Sequence, residues 1–537
     1  MKDKKVRTID DPDIFTGRMI YVLTCDDPGL CKAPFLAEKN VSFPDPHEIS
    51  ALEYYLKNFV WGRLQRTDQE TPYPYGVYGT PNWHTDRDPS LRAKVSKDNL
   101  DKMHVWRSYD YPHVVMLYFH MYEIAKKYPN LAKYLDASGY LERAFQTARA
   151  FFTYPYQIFP SYYETYKWGL YNELIVLRVA DALDAEGFKD RAAWLRAEWE
   201  KKVKYFVYDD PYPFRSEYAF DRTAFESTYA FAKYGATHDM LPDTNLWHDV
   251  KLNKWYSHPS VQRADSRAFM ERQLAAGLSV RGWLEASYYQ LGADPGLSYM
   301  AAMGGWGILD YGFNFAAKPW DWLQLGFASY LSSWCLVNSG VAGSNYGYWF
   351  PGLENDGAAG WQFMSAKFGH AWMGANVPRG PWNYDGEIDL GFGGALRSAA
   401  TIVTKDPTFG WIAYGGTLED HAKTLWIIPH DGLRQRFDAV LSGQEHLKVE
   451  LDRDGFAIGE KIILDKKLDK LTFVLENRTG DKHDVVLRFA SPAATSFHLK
   501  ANHRDVVLQS TGDFDYPQSA VLHLERSALP IELTHDK

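Results

Sequence analysis

The amino-acid sequence predicts an α+β protein with more than one domain, in which a helical part is followed by an antiparallel β-sandwich. Up to about residue 405, hydrophobic residues recur at the spacing of amphipathic helices, and no parallel-strand pattern separates them. After Asp406 the hydrophobic period changes to two, in short runs separated by Gly, Asp and Asn. The chain has 537 residues, which is longer than one ordinary domain.

Residues 1–45 are predicted to form an irregular segment with strand-like pieces that packs on the helical part. Asp26 and Asp27 precede a Pro-Gly pair, which is typical of a turn. Together with Glu38 and Lys39, these aspartates place more charge in the segment than a buried loop tolerates. We therefore expect some of these four side chains to lie at the edge of a substrate cleft.

The start of the chain leaves the localisation open. Residues 1–5 are mostly charged and lack the apolar core of a signal peptide, and no apolar run is long enough to span a membrane. A structured pattern begins almost at once, so we expect that an upstream portion is missing. The protein is then secreted or periplasmic if that portion carries a signal, and cytoplasmic if the chain stands as it is.

Residues 46–405 are predicted to be helical and to hold the functional site. The helix at 110–127 has the clearest boundaries, because Asp110 suits its cap and Pro112 suits its first turn. The other predicted helices are 47–59, 140–152, 168–183, 190–204, 221–235, 261–275, 297–309, 320–337 and 390–403. Such helices bury their faces against one another, and a ring of helix pairs would bring alternate aromatic loops to one end.

The segment 213–235 is the densest candidate for a site, because it carries three carboxylates among closely spaced aromatic residues. Thr223 and Glu226 have the spacing of a capping box, which gives Glu226 a structural explanation. Glu217 and Asp221 lie before or at the predicted helix start, where the positive helix end favours a carboxylate and a side chain can point into a cleft. Ordinary loop and cap roles are the alternative for both residues.

Residues 406–537 are predicted to form the β-sandwich. The strands indicated by the sequence are 410–414, 423–428, 447–451, 461–464, 471–475, 485–489 and 506–508. Turns rich in Gly, Asp and Asn separate them. We expect the first loops of this domain, with His430 and Arg434, to reach the cleft of the helical part.

The composition favours a carbohydrate as the ligand. The chain contains 19 Trp, 36 Tyr and 30 Phe, and the flat apolar faces and polar edges of Tyr and Trp suit a hydroxylated ring. The net charge of -9 argues against nucleic acid or an anionic membrane as the main partner. The oligomeric state stays open at this stage.

No cofactor and no metal is expected. The sequence lacks a P-loop, a dinucleotide fingerprint, a nucleophile elbow and a zinc-protease motif, and its His residues are scattered. The cysteines, Cys25, Cys31 and Cys335, are too few for a disulfide framework, and their spacing matches no metal motif. We interpret all three as structural.

Six motifs of the sequence resemble a poorly characterised six-hairpin, glycosidase-like family. They are DPG at 27–29, APFLAEKN at 33–40, SYDYPH at 108–113, SEYAFD at 216–221, DPTFGW at 406–411 and LRQR at 433–436. The resemblance covers most of the chain, and members of that family are longer at the N-terminus, with an added β-rich domain. It implies an (α/α)6 toroid followed by a β-sandwich, and it implies no catalytic assignment.

Six-hairpin toroids serve glycoside hydrolases and polysaccharide lyases alike, so the chemistry must be argued from residues. A hydrolase needs two carboxylates, one as acid and one as base or nucleophile. The candidates are Glu217, Asp110, Asp221 and Asp385, with Glu217 as the expected proton donor because its neighbours are aromatic. The residues expected to bind substrate are His113, Tyr111, Tyr218, Arg215, Trp382, Trp306, Asp27 and Glu38.

Two other functions stay open. A lyase abstracts a proton beside a uronate carboxylate, typically with Tyr or His, while Arg or Asn neutralises that carboxylate. A set of this kind is Tyr111, His113, Tyr218, Arg107, Arg215 and Asn383. A non-catalytic carbohydrate-binding protein is the third interpretation, because aromatic platforms bind sugars without cleaving them. Neutralisation of every cleft carboxylate by Arg or Lys would favour it.

Overall fold

The structure of the protein is a computed structural model. It describes residues 30, 32–62, 64–78, 105–158, 164–217, 219–221, 224–243, 247–258, 260–281, 305–337, 368–370, 376–378, 388–491 and 497–535. The chain divides into two compact units. The first unit comprises Met1–Gly304 and Ser332–Gly393, and the second comprises Gly305–Leu331 and Gly394–Lys537.

Helices dominate the described part of the first unit. The helices of the chain, in order, are α1 (Lys32–Ser42), α2 (Pro46–Tyr55), α3 (Asp110–Lys127), α4 (Ala137–Ile158), α5 (Glu164–Lys167), α6 (Ile175–Ala185), α7 (Lys189–Lys204), α8 (Phe225–Thr237), α9 (Arg263–Arg281), α10 (Gly305–Asn314), α11 (Pro319–Val337) and α12 (Ile388–Ser398). Helices that follow one another along the chain pack together, namely α3 with α4, α6 with α7, and α8 with α9.

Helix α3 forms the centre of this arrangement. Fifteen of its residues, from Asp110 to Ala125, are buried, which is typical of a helix with neighbours on all sides. It packs against α1, α4 and α6. Asp110 stands in its first turn and Lys126 and Lys127 in its last, so both ends complement the helix dipole. The residues at the start of α3 are therefore fixed by a rigid element.

The N-terminal segment differs from the irregular structure that we predicted for residues 1–45, because residues 32–42 form helix α1. Pro34 falls in the first turn of α1, where proline is tolerated, so it does not mark a loop. Lys39 pairs with Glu48 of α2 at 2.6 Å, and the Asp45 carboxylate accepts hydrogen bonds from the first amides of α2. Glu38 and Lys39 therefore lie on a helix that is joined to α2.

Two short antiparallel ladders accompany the helices. Strand β1 (Trp247–Asp249) pairs with β2 (Lys254–Tyr256), and β3 (Phe368–His370) pairs with β4 (Asn376–Pro378). No parallel sheet occurs before residue 400 in the described part of the chain, in agreement with the helical domain predicted there. Among the same residues, no helix is both long and apolar enough to cross a lipid bilayer.

The second unit contains two sheets of short strands, as predicted for the C-terminal part. The strands are β5 (Thr401–Asp406), β6 (Gly410–Tyr414), β7 (Gly416–Asp420), β8 (Thr424–Pro429), β9 (Arg436–Val440), β10 (His446–Leu451), β11 (Gly455–Phe456), β12 (Ile462–Asp465), β13 (Lys470–Glu476), β14 (His483–Ala490), β15 (Phe497–Ala501), β16 (Arg504–Val506), β17 (Gln509–Ser510), β18 (Gln518–Leu524) and β19 (Leu529–His535). One sheet has the order β17-β18-β14-β10-β9-β5-β6 and the other β16-β15-β19-β13-β12-β8-β7. The pairing is antiparallel except between β5 and β9.

The two sheets share one hydrophobic core. Phe437 and Val449 of the first sheet belong to the same buried cluster as Ile427, Leu471 and Phe473 of the second. Burial alternates along β8 and β13, as expected for strands with one face in the core. This alternation is the period of two that the sequence displays.

The boundary between the helical and the β-rich sequence lies a few residues earlier than predicted. Helix α12 ends at Ser398 and strand β5 begins at Thr401, whereas the sequence predicted a helix as far as residue 403. Residues 401–404 are all buried, and a short buried apolar run has no period that separates strand from helix. Helix α10 and the first part of α11 pack on this end of the sheet, through Leu309 and Leu323.

Candidate functional site

Three segments of the first unit meet around the start of α3, and we call them the α3 site. They are residues 105–113, 168–173 and 210–221. Arg107 of the first forms an ion pair with Glu217 of the third, with 3.1 Å between Nη1 and Oε1. The Gly169 amide of the second donates to the Arg215 carbonyl of the third at 2.8 Å. The predicted candidates on these segments are thus brought into one region.

Glu217 lies at the tip of a closed loop. The Phe220 amide donates to the Phe214 carbonyl at 3.0 Å, and Arg215 and Ala219 form an antiparallel bridge. Phe220 closes the loop with a φ of 58°, a left-handed conformation that is rare for a bulky side chain. Such backbone strain is concentrated at functional sites, because only the surrounding structure maintains it.

The loop is anchored where Gly169 allows the backbone segments to approach closely. A Cβ atom at Gly169 would lie 2.7 Å from Ser227 Oγ and 2.8 Å from Ala224 Cβ. No larger residue fits there without displacing the start of α8. The glycine therefore sets the distance between segment 168–173 and the segment that carries Glu217.

A cluster of aromatic rings adjoins the ion pair. The Arg107 guanidinium lies 5.0 Å from the centre of the Tyr109 ring, and this ring contacts the rings of Trp168 and Tyr171 at 5.9 Å each. The side chains of Arg107 and Glu217 are 17% and 31% exposed, so the pair is accessible to a ligand. The α3 site thus combines a partly exposed carboxylate, a guanidinium and flat rings.

Three predicted site residues on α3 lie in the interior. Asp110, Tyr111 and His113 are fully buried. The Tyr111 hydroxyl donates to the Val105 carbonyl at 2.6 Å, and burial raises the pKa of this phenol well above its usual value. His113 Nδ1 lies 3.0 Å from Nδ2 of Asn172. The contact between His113 and Asn172 holds the first turn of α3 against segment 168–173.

Asp210 is a carboxylate of the site that the sequence reasoning did not single out. Its side chain is buried, Oδ1 accepts from the Tyr212 amide at 2.9 Å, and Oδ2 lies 3.6 Å from Arg215 Nη1. Burial raises the pKa of Asp210 above its ordinary value, although Arg215 and two hydrogen bonds oppose the rise. In the sequence, Asp210 precedes Pro211 and looks like an ordinary turn residue.

The buried ion pair of Glu173 and Lys202 is a second feature that the sequence did not indicate. Both side chains are essentially unexposed and in direct contact. Lys202 Nζ also donates to the Trp168 carbonyl at 2.9 Å, and Glu173 accepts from the Leu170 amide at 2.8 Å. The pair therefore shapes the turn that carries Trp168. Burial raises the pKa of Glu173 and lowers that of Lys202.

The remaining predicted residues fall into three groups. Asp221 and Arg215 lie in segment 210–221, half-buried, and Arg215 pairs with Asp210. Glu38 is half-buried on α1, and Trp306 is half-buried on α10 of the second unit. Asp26, Asp27, Tyr218, Trp382, Asn383 and Asp385 lie outside the described residues. The described residues contain no group of three or more His, Cys, Asp and Glu side chains arranged to hold a metal ion.

Comparison with known proteins adds one match. Residues 26–245 match a family described as a family of unknown function (DUF5695). No curated protein matches the chain. The matched region includes all three segments of the α3 site, from Arg107 to Asp221. The chain is therefore similar, over this helical region, to a family whose description names no activity.

Proposed function

We propose that the protein is a carbohydrate-active enzyme, a glycoside hydrolase whose site is the α3 site. The observation that carries this proposal is the partly exposed Glu217–Arg107 pair, held at the tip of a strained loop beside a cluster of aromatic rings. Sugar rings pack their apolar faces on Trp and Tyr while carboxylates and guanidinium groups bind their hydroxyls. The aromatic composition of the whole chain agrees with such a ligand.

We further propose that the helical part is an (α/α)6 toroid of the six-hairpin glycosidase type. Support comes from the packing of successive helices in pairs and from the resemblance of the motifs at 108–113 and 216–221. In such a ring, loops between helices gather at one end, which is where a cleft forms. The meeting of segments 105–113, 168–173 and 210–221 is in keeping with that arrangement.

In the hydrolase, we assign Glu217 the role of the base or nucleophile. Its partner Arg107 is a cation, and an ionic contact uses Glu217 as a carboxylate, which suits these roles better than proton donation. This assignment replaces the proton donor role that its aromatic neighbours had indicated. For the donor, burial raises the pKa of Asp210, which is the property that a general acid needs.

A second candidate function is carbohydrate binding without cleavage. Two described carboxylates of the α3 site have cationic partners, since Glu217 pairs with Arg107 and Asp210 lies near Arg215. Carboxylates held by cations can orient the hydroxyls of a ligand, and binding of this kind needs no proton transfer. The lyase has less support, because the hydroxyl of Tyr111 is buried and donates to Val105.

A substrate screen separates these functions. The purified full chain is incubated with neutral and uronate-containing polysaccharides, and reducing ends and absorbance at about 235 nm are followed. A hydrolase releases reducing ends without the absorbance, and a lyase produces both. Saturable binding with no product would favour the binding protein. Absence of both binding and product across the panel would contradict the proposed function.

A further inference from the structure

Arg66 is a buried cation that the α3 site does not use. It lies just after the π-helical turn Leu56–Val60, where the chain turns back on itself and the Arg66 amide donates to the Gly76 carbonyl at 2.8 Å. Gln65 and Val77 form an antiparallel bridge at the same point. The short pairing fixes the backbone of Arg66, and only 7% of the residue is exposed.

The guanidinium of Arg66 has almost no compensation. Among the residues that the structure describes, no carboxylate forms an ion pair with it, and its Nε is buried without a hydrogen-bond partner. In the described part of the chain, its guanidinium has one hydrogen bond, from Nη1 to the Tyr78 hydroxyl at 3.4 Å, which is long for such a bond. The guanidinium also lies 5.8 Å from the centre of the Tyr78 ring, at the outer limit of a cation–π contact. A buried charge without a partner is costly, and such charges are normally paired or bound to a ligand.

Other buried cations of the first unit show the usual solution. Lys202 contacts Glu173, and Lys204 Nζ reaches Asp243 at 2.5 Å and the Leu241 carbonyl at 3.0 Å. Both lysines are thus neutralised within the fold. Arg66 has no carboxylate partner among the described residues, so its positive charge is available to bind an anionic ligand.

The neighbours of Arg66 are phenols that cannot neutralise it. The Arg66 backbone lies close to the segment that precedes α3, because its amide donates to the Gly76 carbonyl and a Cβ atom at Gly76 would lie 2.7 Å from the side chain of Val105. The charge of Arg66 also opposes the rise in pKa that burial causes in Tyr111 and Tyr154. Their hydroxyl protons are already engaged, because Tyr111 donates to Val105 and Tyr154 donates to the Pro74 carbonyl at 2.9 Å. Tyr111 belongs to the first turn of α3, which places Arg66 next to the α3 site.

We propose that Arg66 binds an oxyanion carried by an acidic sugar residue, either the carboxylate of a uronate or a sulfate ester. The inference rests on the proposed function, because it names the substrate class of that site as an acidic glycan. A guanidinium is suited to this task, since its planar fork donates two parallel hydrogen bonds to a carboxylate or sulfate.

The test uses the full chain and the variants Arg66→Met and Arg149→Met. Arg149 is exposed on α4, the helix that also carries Tyr154, and serves as the matched control. Thermal unfolding is measured with sodium glucuronate, sodium sulfate and glucose as probes. We expect glucuronate or sulfate, but not glucose, to raise the Tm of the parent and of Arg149→Met, and to leave Arg66→Met unchanged. Comparison of glucuronate with sulfate shows which oxyanion is preferred.

The stability of Arg66→Met without ligand gives a second readout. Removal of an uncompensated buried charge is expected to leave the Tm equal or higher, whereas removal of a structural ion pair lowers it. A clear fall in Tm would show a structural role and overturn the proposal, as would an equal ligand response in Arg66→Met. Because no turnover is measured, these outcomes are independent of the substrate screen. Cleavage of neutral glycans only, with no oxyanion effect, would refute the Arg66 site and leave the hydrolase intact.

Discussion

At the scale of single residues, the buried ion pair of Glu173 and Lys202 stabilises the backbone of the α3 site. The two side chains are buried together and hold the turn that carries Trp168. We expect Lys202→Met to destabilise the protein by about 3–5 kcal/mol, because it leaves an uncompensated carboxylate in the interior. The double variant with Glu173→Gln should recover much of this loss. Denaturant unfolding of the parent, both single variants and the double variant measures the coupling, and additive effects would contradict the pairing.

A second prediction concerns Asp438 on β9 of the second unit. Burial raises its pKa to about 7, while Lys448 and Arg436 oppose the rise and Glu450 and Asp515 add to it. Lys448 lies directly across the ladder from Asp438. The folded pKa lies above the ordinary value of 3.8, so folding favours the protonated acid. Stability from this group is therefore complete below about pH 4 and is lost as the pH rises through about 7.

Asp438→Asn removes this pH dependence. We expect the variant to match the parent near pH 4 and to be more stable at pH 8, by about 1–4 kcal/mol. The measurement is thermal or denaturant unfolding of both proteins across this range. Asp505→Asn is the control, because the Asp505 side chain is 83% exposed. Equal pH profiles for Asp438→Asn and the parent would show that Asp438 is ionised in the folded protein.

The sequence predicted some site residues and missed others for a physical reason. Glu217 stood out because it is a carboxylate among aromatic residues, and its ion-pair partner Arg107 lies over the ring of Tyr109. Asp210, Lys202 and Arg66 have ordinary local sequences. What sets these residues apart is their burial and, for Lys202, an ion-pair partner that is distant along the chain, Glu173. No local sequence pattern shows either property.

At the scale of elements, the contact between α1 and α12 gives a prediction. A Cβ atom at Gly393 of α12 would overlap the ring of Phe35 on α1, which is completely buried. Gly393→Ala is therefore expected to destabilise the protein by about 1–3 kcal/mol, as overpacking does. Phe35→Leu in the same chain should restore part of the loss by freeing space. A Gly393→Ala variant with the Tm of the parent would contradict this contact.

The errors in element prediction have separate physical causes. The hydrophobic pattern predicted most of the described helices, but it missed strands such as β9, β18 and β19. It also placed an irregular segment where α1 lies and extended the last helix into β5. Pro34 occupies the first turn of α1, where no amide hydrogen bond is lost, so the helix tolerates it. Residues 401–404 are buried on all sides, so no alternation identified them as a strand.

At the scale of the whole molecule, the two units contain different features. The first unit carries the α3 site and Arg66, and the second carries two sheets with a common core. The sequence predicted this order because the hydrophobic period changes once along the chain. It did not predict that α10 belongs with the sheets, since an amphipathic helix does not record which neighbour covers its apolar face.

The central claim is that Glu217 takes part in cleaving a glycosidic bond. On the substrate that the screen identifies, the most direct measurement is the kcat of Glu217→Gln beside that of Glu271→Gln, a change at an exposed residue of α9. Gln retains the size of the side chain but removes the carboxylate, so we expect kcat to fall at least about 100-fold. Glu271→Gln should cleave at the parent rate, and both variants should keep the parent Tm. A folded Glu217→Gln protein with the parent kcat would contradict the account.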